Sequence, residues 1–574
     1  MNKEEPTMNP GASDQIPSAA RFDVRLPSVI LPGNGVTITE TARQLFPLMA
    51  KTGHYFMRGG RVMKLTSDEK GRKILQVHTP DEARSDFEKV ANLLAWRKAD
   101  NGDLVLKPVI CSVDTANALL ETEDAKELLP HIRGLMNCPM LFERDSELAI
   151  AGPGYNPETE MLITGGTMPK EVSVEEAVAS LLELLREFDF QTDSDKSRMV
   201  AGWVSPVLKS SGLIQGRVPA VVGEANHSQS GKTYGQKVGV GICNEKVSLV
   251  TKTEGGVGSI DEKFGQQLEK GRPFIQFDNF RGRFDSPNLE AFMTADDSFP
   301  CRLPYKEYFD VNPEEFFVLM SSNGVETTRD FANRSNFVRI RKKPDGFHFQ
   351  KYPEGDLLNH VRAKQPYYLG CVFAVVRAWH AAGKPRTDET RHDFREWVQV
   401  LDWIVQNIFK LPPIMDGHRE AQERVSNPEL CFLRAVALAI EQCEELGNPQ
   451  TATEIAQICE LENIKIPGAP PLADIDRLAR LVGAAFGRIF RKEASIDLEG
   501  YRITRALTRR QRKDNQGYDE LKSYTFERLG ATGGNPKTDK GGANDLVEKR
   551  VVSFVRSPAP KTSMAVETGV TNSK

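Results

Sequence analysis

Apolar residues recur every three to four positions through "VTITETARQLFPLMAKTG" (36–53), which predicts an amphipathic helix with Thr37 as its cap. The pattern then changes to alternation around a Gly-Gly pair in "HYFMRGGRVMKLT" (54–66), the signature of a hairpin. "GPGYNPETEMLITGG" (152–166) predicts two short strands around a turn, and "SVEEAVASLLELLREF" (173–188) predicts a helix. From about 195 to 345, apolar strands alternate with helices and loops. "PAVVGEA", "FIQFDN" and "EFFVLMSSN" are the clearest strands, and their unbroken apolar character fits a sheet covered on both faces. Residues 350–420 read as mainly helical. Residues 428–527 give helix, turn, helix, helix and two strands, ending in "EGYRITRALTRR" and "LKSYTFER".

These changes of period divide the chain into an N-terminal α+β domain (21–190), an α/β domain (191–345), a helical region (346–427) and a C-terminal domain (428–528). The tails 1–20 and 529–574 are polar and rich in small residues, a composition that favours disorder. A length of 574 residues allows three or four domains. No apolar run approaches the roughly 20 residues of a membrane span. "YLGCVFAVVRAWHAAG" is interrupted by Arg377 and reads as a buried helix. The eight cysteines are scattered singly, as expected of reduced thiols in a cytoplasmic protein. The net charge of −4 says little about partners, but two local clusters are basic. One is "RIRKKP", with Arg339, Arg341, Lys342 and Lys343. The other runs from Arg488 to Lys513 and includes Arg502, Arg505, Arg509, Arg510, Arg512 and Lys513. The order of elements from 428 to 527 suits a winged helix with "RRQRKDNQGYDE" as a basic wing lying on DNA phosphates. A solvated face or a subunit contact is the competing reading. Tyr501 and Tyr524 read as strand-core aromatics before they read as base-stacking groups.

The strand "AVV" runs into "EANHSQSGKTY" (224–234). A phosphate loop needs backbone N–H groups around a β-phosphate, a lysine on the outer phosphates and a hydroxyl on Mg²⁺. Asn226, Ser230, Gly231, Lys232, Thr233 and Tyr234 are the candidates for such a loop. Asn226 replaces the usual first glycine, and asparagine tolerates positive φ best among the other residues. Asp278 ends the strand Phe274–Phe277 as a candidate magnesium ligand beside Thr233, with an ordinary strand-end aspartate as the alternative. Asn323 ends the third strand, where it can orient a water. The three features are spaced at intervals of about 45 residues, which suits one sheet with crossover helices. Together they predict hydrolysis of a nucleotide, ATP with Mg²⁺. Arg334 is the candidate arginine finger; a structural arginine paired with Asp330 is the competing reading. Asn279 stands after Asp278 where a carboxylate base is common, and Glu262 is a possible substitute. "TDSD" (192–195) reads as a helix cap or an exposed loop.

The run "GYNPETEML", "EANHSQSGKT", "DEKFGQQLEKGRPFIQFDN", "DSPNLEAFMTA" and "SSNGVETTRDFANRSNFVRIR" resembles the helicase part of phage and plasmid primase-helicases, ring ATPases related to superfamily three and the virulence-associated E group. The likeness covers about 150–527. It implies an AAA+-like P-loop core, a homo-hexamer, and movement of single-stranded or forked DNA through the ring. It places Lys232 and Thr233 on phosphate and metal, Asp278 on metal, Asn323 as sensor, and Arg334 on a neighbour's γ-phosphate. Arg302 and Lys306 would be pore candidates. No primase activity follows from residues 22–150. The expectation is an ATP-dependent DNA helicase of a mobile element; the alternative is a regulatory or defence ATPase that acts as an assembly switch.

Overall fold

The computed structural model describes residues 23–100, 102–225, 230–251, 260–284, 286–301, 309–343, 347–470, 473–491, 493–511 and 518–529. The expected α+β content begins at the N-terminus. The helix Ile38–Lys51 opens with Thr37 and Glu40 in a reciprocal capping box and buries Ala42, Leu45, Phe46 and Met49. The hairpin Tyr55–Arg58/Arg61–Ser67 closes through Gly59 and Gly60, at φ +55 and +75, which matches a type I′ turn. A side-chain carbon at Gly59 would lie 1.9 Å from the Asp310 carbonyl oxygen, so the turn sits directly on that backbone. Gly154–Asn156 and Met161–Ile163 form the expected pair of short strands.

The centre is a six-stranded sheet. Its members, with the helices between them, are β1 (Asp189–Phe190), α1 (Asp193–Ser210), β2 (Ala220–Ala225), α2 (Lys232–Ile242), β3 (Ser248–Val250), α3 (Ile260–Glu269), β4 (Phe274–Phe284), β5 (Phe317–Thr327), α4 (Arg329–Asn333) and β6 (Ser335–Arg341). The strand order is β1-β6-β2-β5-β4-β3, parallel throughout except for the short β1. The three strands anticipated from their apolar runs are therefore neighbours, with β5 between β2 and β4. Phe274, Ile275, Phe277, Met320, Phe337 and Val338 are all buried, as a sheet with two covered faces requires.

Two strands outrun their expected ends. β4 and β5 continue past Asp278 and Asn323 as a paired ribbon to Phe284 and Thr327, with register shifts at Phe277/Phe280 and Phe280/Gly282. β2 stops at Ala225, so both residues stand where the sheet narrows, not at strand ends. Such bulges keep pairing while the strand bends.

Downstream lie the buried helix Gln365–Ala381 and the helix Arg395–Asn407. No helix among the described residues is long and apolar enough to cross a membrane. The last region contains α5 (His418–Val425), α6 (Pro428–Gln442), β7 (Gln450–Thr451), α7 (Ala452–Leu461), α8 (Ile475–Ile489), β8 (Ser495–Leu498), β9 (Tyr501–Gln511) and β10 (Tyr518–Arg528). Its antiparallel sheet has order β7-β10-β9-β8, two strands more than expected. Tyr501 and Tyr524 are buried in its core with Phe486 and Phe526, so their rings are packing groups. Much of "RRQRKDNQGYDE" is strand, and its turn, 512–517, lies outside the described residues.

A buried charge cluster joins these layers. Asp195, the capping-box partner of Thr192, accepts from Arg198 at 2.7 Å and from the Arg339 backbone and guanidinium at 2.9 and 3.2 Å. Arg339 also lies 3.5 Å from Glu499. The anticipated surface role of Arg339 is corrected: it is buried, its charge matched by Asp195 and Glu499. Burial raises the Asp195 pKa, but the guanidiniums of Arg198 and Arg339 more than offset this and hold it below the usual carboxylate range.

Three histidines sit in the interior uncharged. Burial pushes His78 and His392 down to about 4 and His418 well below its ordinary value. His418 Nε2 accepts the Phe337 N–H at 3.2 Å, a bond that protonation would destroy. A depressed histidine pKa leaves stability intact above the unfolded value of about 6.5 and removes it as pH falls toward the folded value. Each histidine then contributes a slope of about 1.4 kcal/mol per pH unit. Denaturant midpoints should hold steady above pH 7 and fall from pH 6.5 to 4.5; a flat profile over that range contradicts neutral burial.

Candidate functional site

The sequence places a helix start directly after β2, and local packing fixes how close that helix can come. Gly231 is the N-cap of α2, in the left-handed region at φ +91. On α2, glycines face a wall of large side chains: added carbons at Gly235 and Gly239 would lie 2.6 Å from Met199 and 2.3 Å from Trp203 of α1. The Trp203 indole N–H donates to the Gly235 carbonyl at 2.9 Å. Gln236 fastens the same helix to the sheet. Its amide donates to the Val221 carbonyl of β2 and the Met320 carbonyl of β5, each at 2.9 Å. Sequence reasoning missed Gln236; a buried polar residue one turn after the lysine was the available signal.

Lys232 thereby lies over β2, with its Cβ 3.3 Å from where a side chain at Gly223 would begin. Gly223 pairs with Ser321 of β5, and the Ser321 hydroxyl donates to the Asp278 carboxylate of β4. Three strands thus bring Lys232, Ser321 and Asp278 to one level. Burial pulls the Lys232 pKa down, and the nearby Asp278 charge opposes that shift. Asn323 follows Ser321 by two positions in β5, level with the end of β2. Ser321 was also unforeseen, because its partner is defined only by register.

Lys232, but neither Ser321 nor Asp278, also lines a cavity of about 750 Å³, with Ser230, Gly231, Thr233 and Tyr234 on the same side. Lys342, Lys343, Phe347 and Phe349 line the other. Phe347 and Phe349 are exposed and edge-to-face at 5.0 Å, and the Lys343 ammonium lies 4.5 Å above the Phe347 ring. The Tyr234 hydroxyl accepts the Leu358 N–H at 2.8 Å, tying the loop helix to the segment behind the cavity. The Ser230 hydroxyl is buried with no hydrogen-bond partner among the described residues. An orphaned donor beside a left-handed glycine and a helix N-terminus suits an anion. Thr233 and Asp278 are suited to a hard cation shared with that anion, since Mg²⁺ needs only one or two protein oxygens besides phosphate and water. No group of three or more His, Cys, Asp or Glu that could hold a metal occurs among the described residues.

Other predicted residues lie elsewhere. Arg334 caps α4 at the start of β6, and its main-chain carbonyl accepts from the Ala220 N–H at 3.1 Å. Ala220 lies three residues before Gly223, the β2 residue that Lys232 rests on, a separation of roughly 10 Å along the strand at its rise per residue. The Arg334 guanidinium donates to the Asp330 carbonyl at 3.2 Å, a main-chain contact instead of the expected carboxylate pair. Glu262 is half-buried in the first turn of α3, which packs on β3 at the far edge of the sheet. Asn226 lies outside the described residues, as do Arg302, Lys306, Arg512 and Lys513. Arg509 and Arg510 belong to β9. Arg505 is partly exposed, and Arg502 is held by both oxygens of Asp497 at 2.8 Å.

Comparison with known proteins gives structural neighbours only. The chain is similar to the apo A form of the NrS-1 C-terminal region, with 11% identity and a TM-score of 0.29 over 84% of this chain and 99% of that one. It is similar to the active helicase Cch of SCCmec type IV, with 10% identity and a TM-score of 0.28 over 82% and 97%. It is also similar to the JCV helicase in complex with a phenoxyphenyl acetamide, with 10% identity and a TM-score of 0.20 over 44% and 73%. No protein-family model matches the chain, and no curated protein matches it in sequence.

The left-handed cap makes a specific demand. Gly231→Ala should lower stability by about 1–2 kcal/mol, because a β-carbon disfavours positive φ and would press on Phe188 at 3.3 Å. Gly231→Asn should lose less in the same denaturant titration; equal stability of glycine and alanine proteins would contradict the cap.

Proposed function

We propose that this chain is a Mg²⁺-dependent ATPase that moves DNA, built as an AAA+-like P-loop core with a C-terminal winged helix. The convergence of Lys232 and Asp278 across three adjacent strands carries the reading. Lys232 offsets phosphate charge, and Ser230 with the N–H groups at the start of α2 supplies the cradle. Thr233 and Asp278 offer oxygens to Mg²⁺, which when bound supplies further charge neutralisation. Ser321 holds the Asp278 carboxylate in place. Phe347 and Phe349 offer an aromatic surface to a base, with Lys342 and Lys343 lying near the phosphates. Asn323 is assigned to orienting water.

Arg334 joins the sheet at the start of β2, before the level of Lys232, and its guanidinium is turned to the Asp330 carbonyl of its own helix. It is assigned to the nucleotide of a neighbouring copy, which makes activity depend on a homo-oligomer, here a hexamer. An arginine delivered from outside stabilises charge spread over the transferring phosphoryl oxygens. DNA, single-stranded or forked, is assigned to the ring interior and to the basic β9–β10 hairpin. One feature favours a second reading, an ATP-gated assembly switch: Asn279, not a carboxylate, follows Asp278, and Glu262 lies at the sheet edge.

Separate variants should divide the labour. Lys232→Ala should abolish ATP turnover and weaken ATP binding at least about tenfold, whereas Arg334→Ala should bind ATP normally and turn over at least ~10³-fold more slowly. Mixing the two inactive proteins should restore part of the turnover, since some interfaces then pair an intact loop with an intact arginine. Mixed oligomers that stay inactive, or an Arg334→Ala protein with normal turnover, would contradict the assignment. Phe347→Ala with Phe349→Ala should raise the Kd for ATP with little effect on tripolyphosphate; equal losses for both ligands would remove the base-stacking role.

A further inference from the structure

The residue just ahead of the phosphate loop is joined by charge to the C-terminal region. Glu224 is the penultimate residue of β2 and is buried. Its carboxylate accepts from Arg424 of α5, whose guanidinium also donates through Nε to Glu499 at 2.8 Å. Arg424 is thus a planar bridge between two acids, one on the loop strand and one on the β8–β9 turn. Glu499 further accepts from Arg434 of α6 at 2.8 Å and lies 3.5 Å from Arg339, which is paired in register with Glu224. Gln191 completes the set: it donates to the Glu499 carbonyl at 2.5 Å and accepts from Arg434 at 2.9 Å.

The backbone at Glu499 supplies an independent observation. Glu499 and Gly500 form a two-residue hairpin turn with φ of +47 and +89, and Leu498 pairs with Tyr501 across it. Asparagine, aspartate or glycine suits the first position of such a turn; a glutamate there is strained. The Glu499 side chain is nevertheless buried against three guanidiniums. Strained, over-determined positions cluster where two states are to be distinguished.

We infer that Glu224, Arg424 and Glu499 are positioning residues that couple nucleotide at the Lys232 loop to DNA on the C-terminal region. The inference rests on the function proposed above. Movement of the β8–β9 turn changes how Arg424 divides itself between two carboxylates, and Glu224 carries that change to β2, the strand that leads toward Lys232. Because coupling is reciprocal, nucleotide must alter the DNA-binding region as DNA alters the loop.

Hydrogen exchange on the full chain, with a non-hydrolysable ATP analogue and a single-stranded oligonucleotide as probes, tests this without relying on turnover. In the native protein the analogue should change exchange in 428–528, and the oligonucleotide should change exchange in 220–242. Glu499→Gln should retain binding of each probe within about twofold yet lose at least ~5-fold of the effect of each on the other's affinity. Arg424→Lys keeps the charge but has no fork to span two acids, so it should uncouple the sites even if Glu499→Gln fails to fold. A purely structural role predicts lower melting temperatures with coupling unchanged in the folded variant, and that result overturns the proposal. A native protein that binds the analogue without any change in 428–528 also overturns it while sparing the ATPase reading. A protein that binds no analogue overturns both.

Discussion

Parallel strands cannot be joined by a tight turn, and everything at the site follows from that constraint. β2, β4 and β5 are separated by crossovers in sequence, yet β5 inserts between the other two. Only in that order do Gly223, Ser321 and Asp278 share a level, with Lys232 resting above them. The candidate site is therefore a property of the whole layer: these residues meet when the sheet has its register and do not otherwise. α2 is held to that layer by glycine packing against Trp203 and Met199 and by the two hydrogen bonds of Gln236.

The same edge of the sheet carries an unusual density of buried charge. Asp195, Glu224 and Glu499 face Arg198, Arg339, Arg424 and Arg434. Burial raises the Glu499 pKa, but the Arg424, Arg339 and Arg434 guanidiniums hold it well below the carboxylate range. Buried ion pairs are a poor source of net stability, because desolvation offsets their attraction, but losing one partner leaves an uncompensated charge. Such clusters are better suited to fixing one arrangement of packed parts than to strengthening it. Here they fix the C-terminal region against the strand that feeds the loop.

Much of this is legible in the sequence alone. Thr37, Thr192 and the Gly59-Gly60 pair act locally, and the caps and turn they form are those expected. The placement of Lys232 after one buried strand and of Asp278 within another was legible, because both are local features of a parallel sheet. What stayed hidden was set by register or distant partners. Ser321 looks like any strand serine until its neighbour is known. Glu499 and Arg424 lie far apart in sequence. Arg339 read as one member of a basic run because charge counting ignores burial, yet it is interior. Where Arg334 sits relative to Lys232 follows only from β6 running parallel beside β2. The expected ends of β4 and β5 failed for a related reason: the two strands pair with each other beyond the point where β2 stops.

Electron microscopy of the full chain with a non-hydrolysable ATP analogue, Mg²⁺ and forked DNA is the most direct test. The account predicts triphosphate density between Gly231, Lys232 and Asp278, with Arg334 of an adjacent copy reaching it. Nucleotide bound elsewhere, or an assembly that leaves every Arg334 far from bound phosphate, would contradict it.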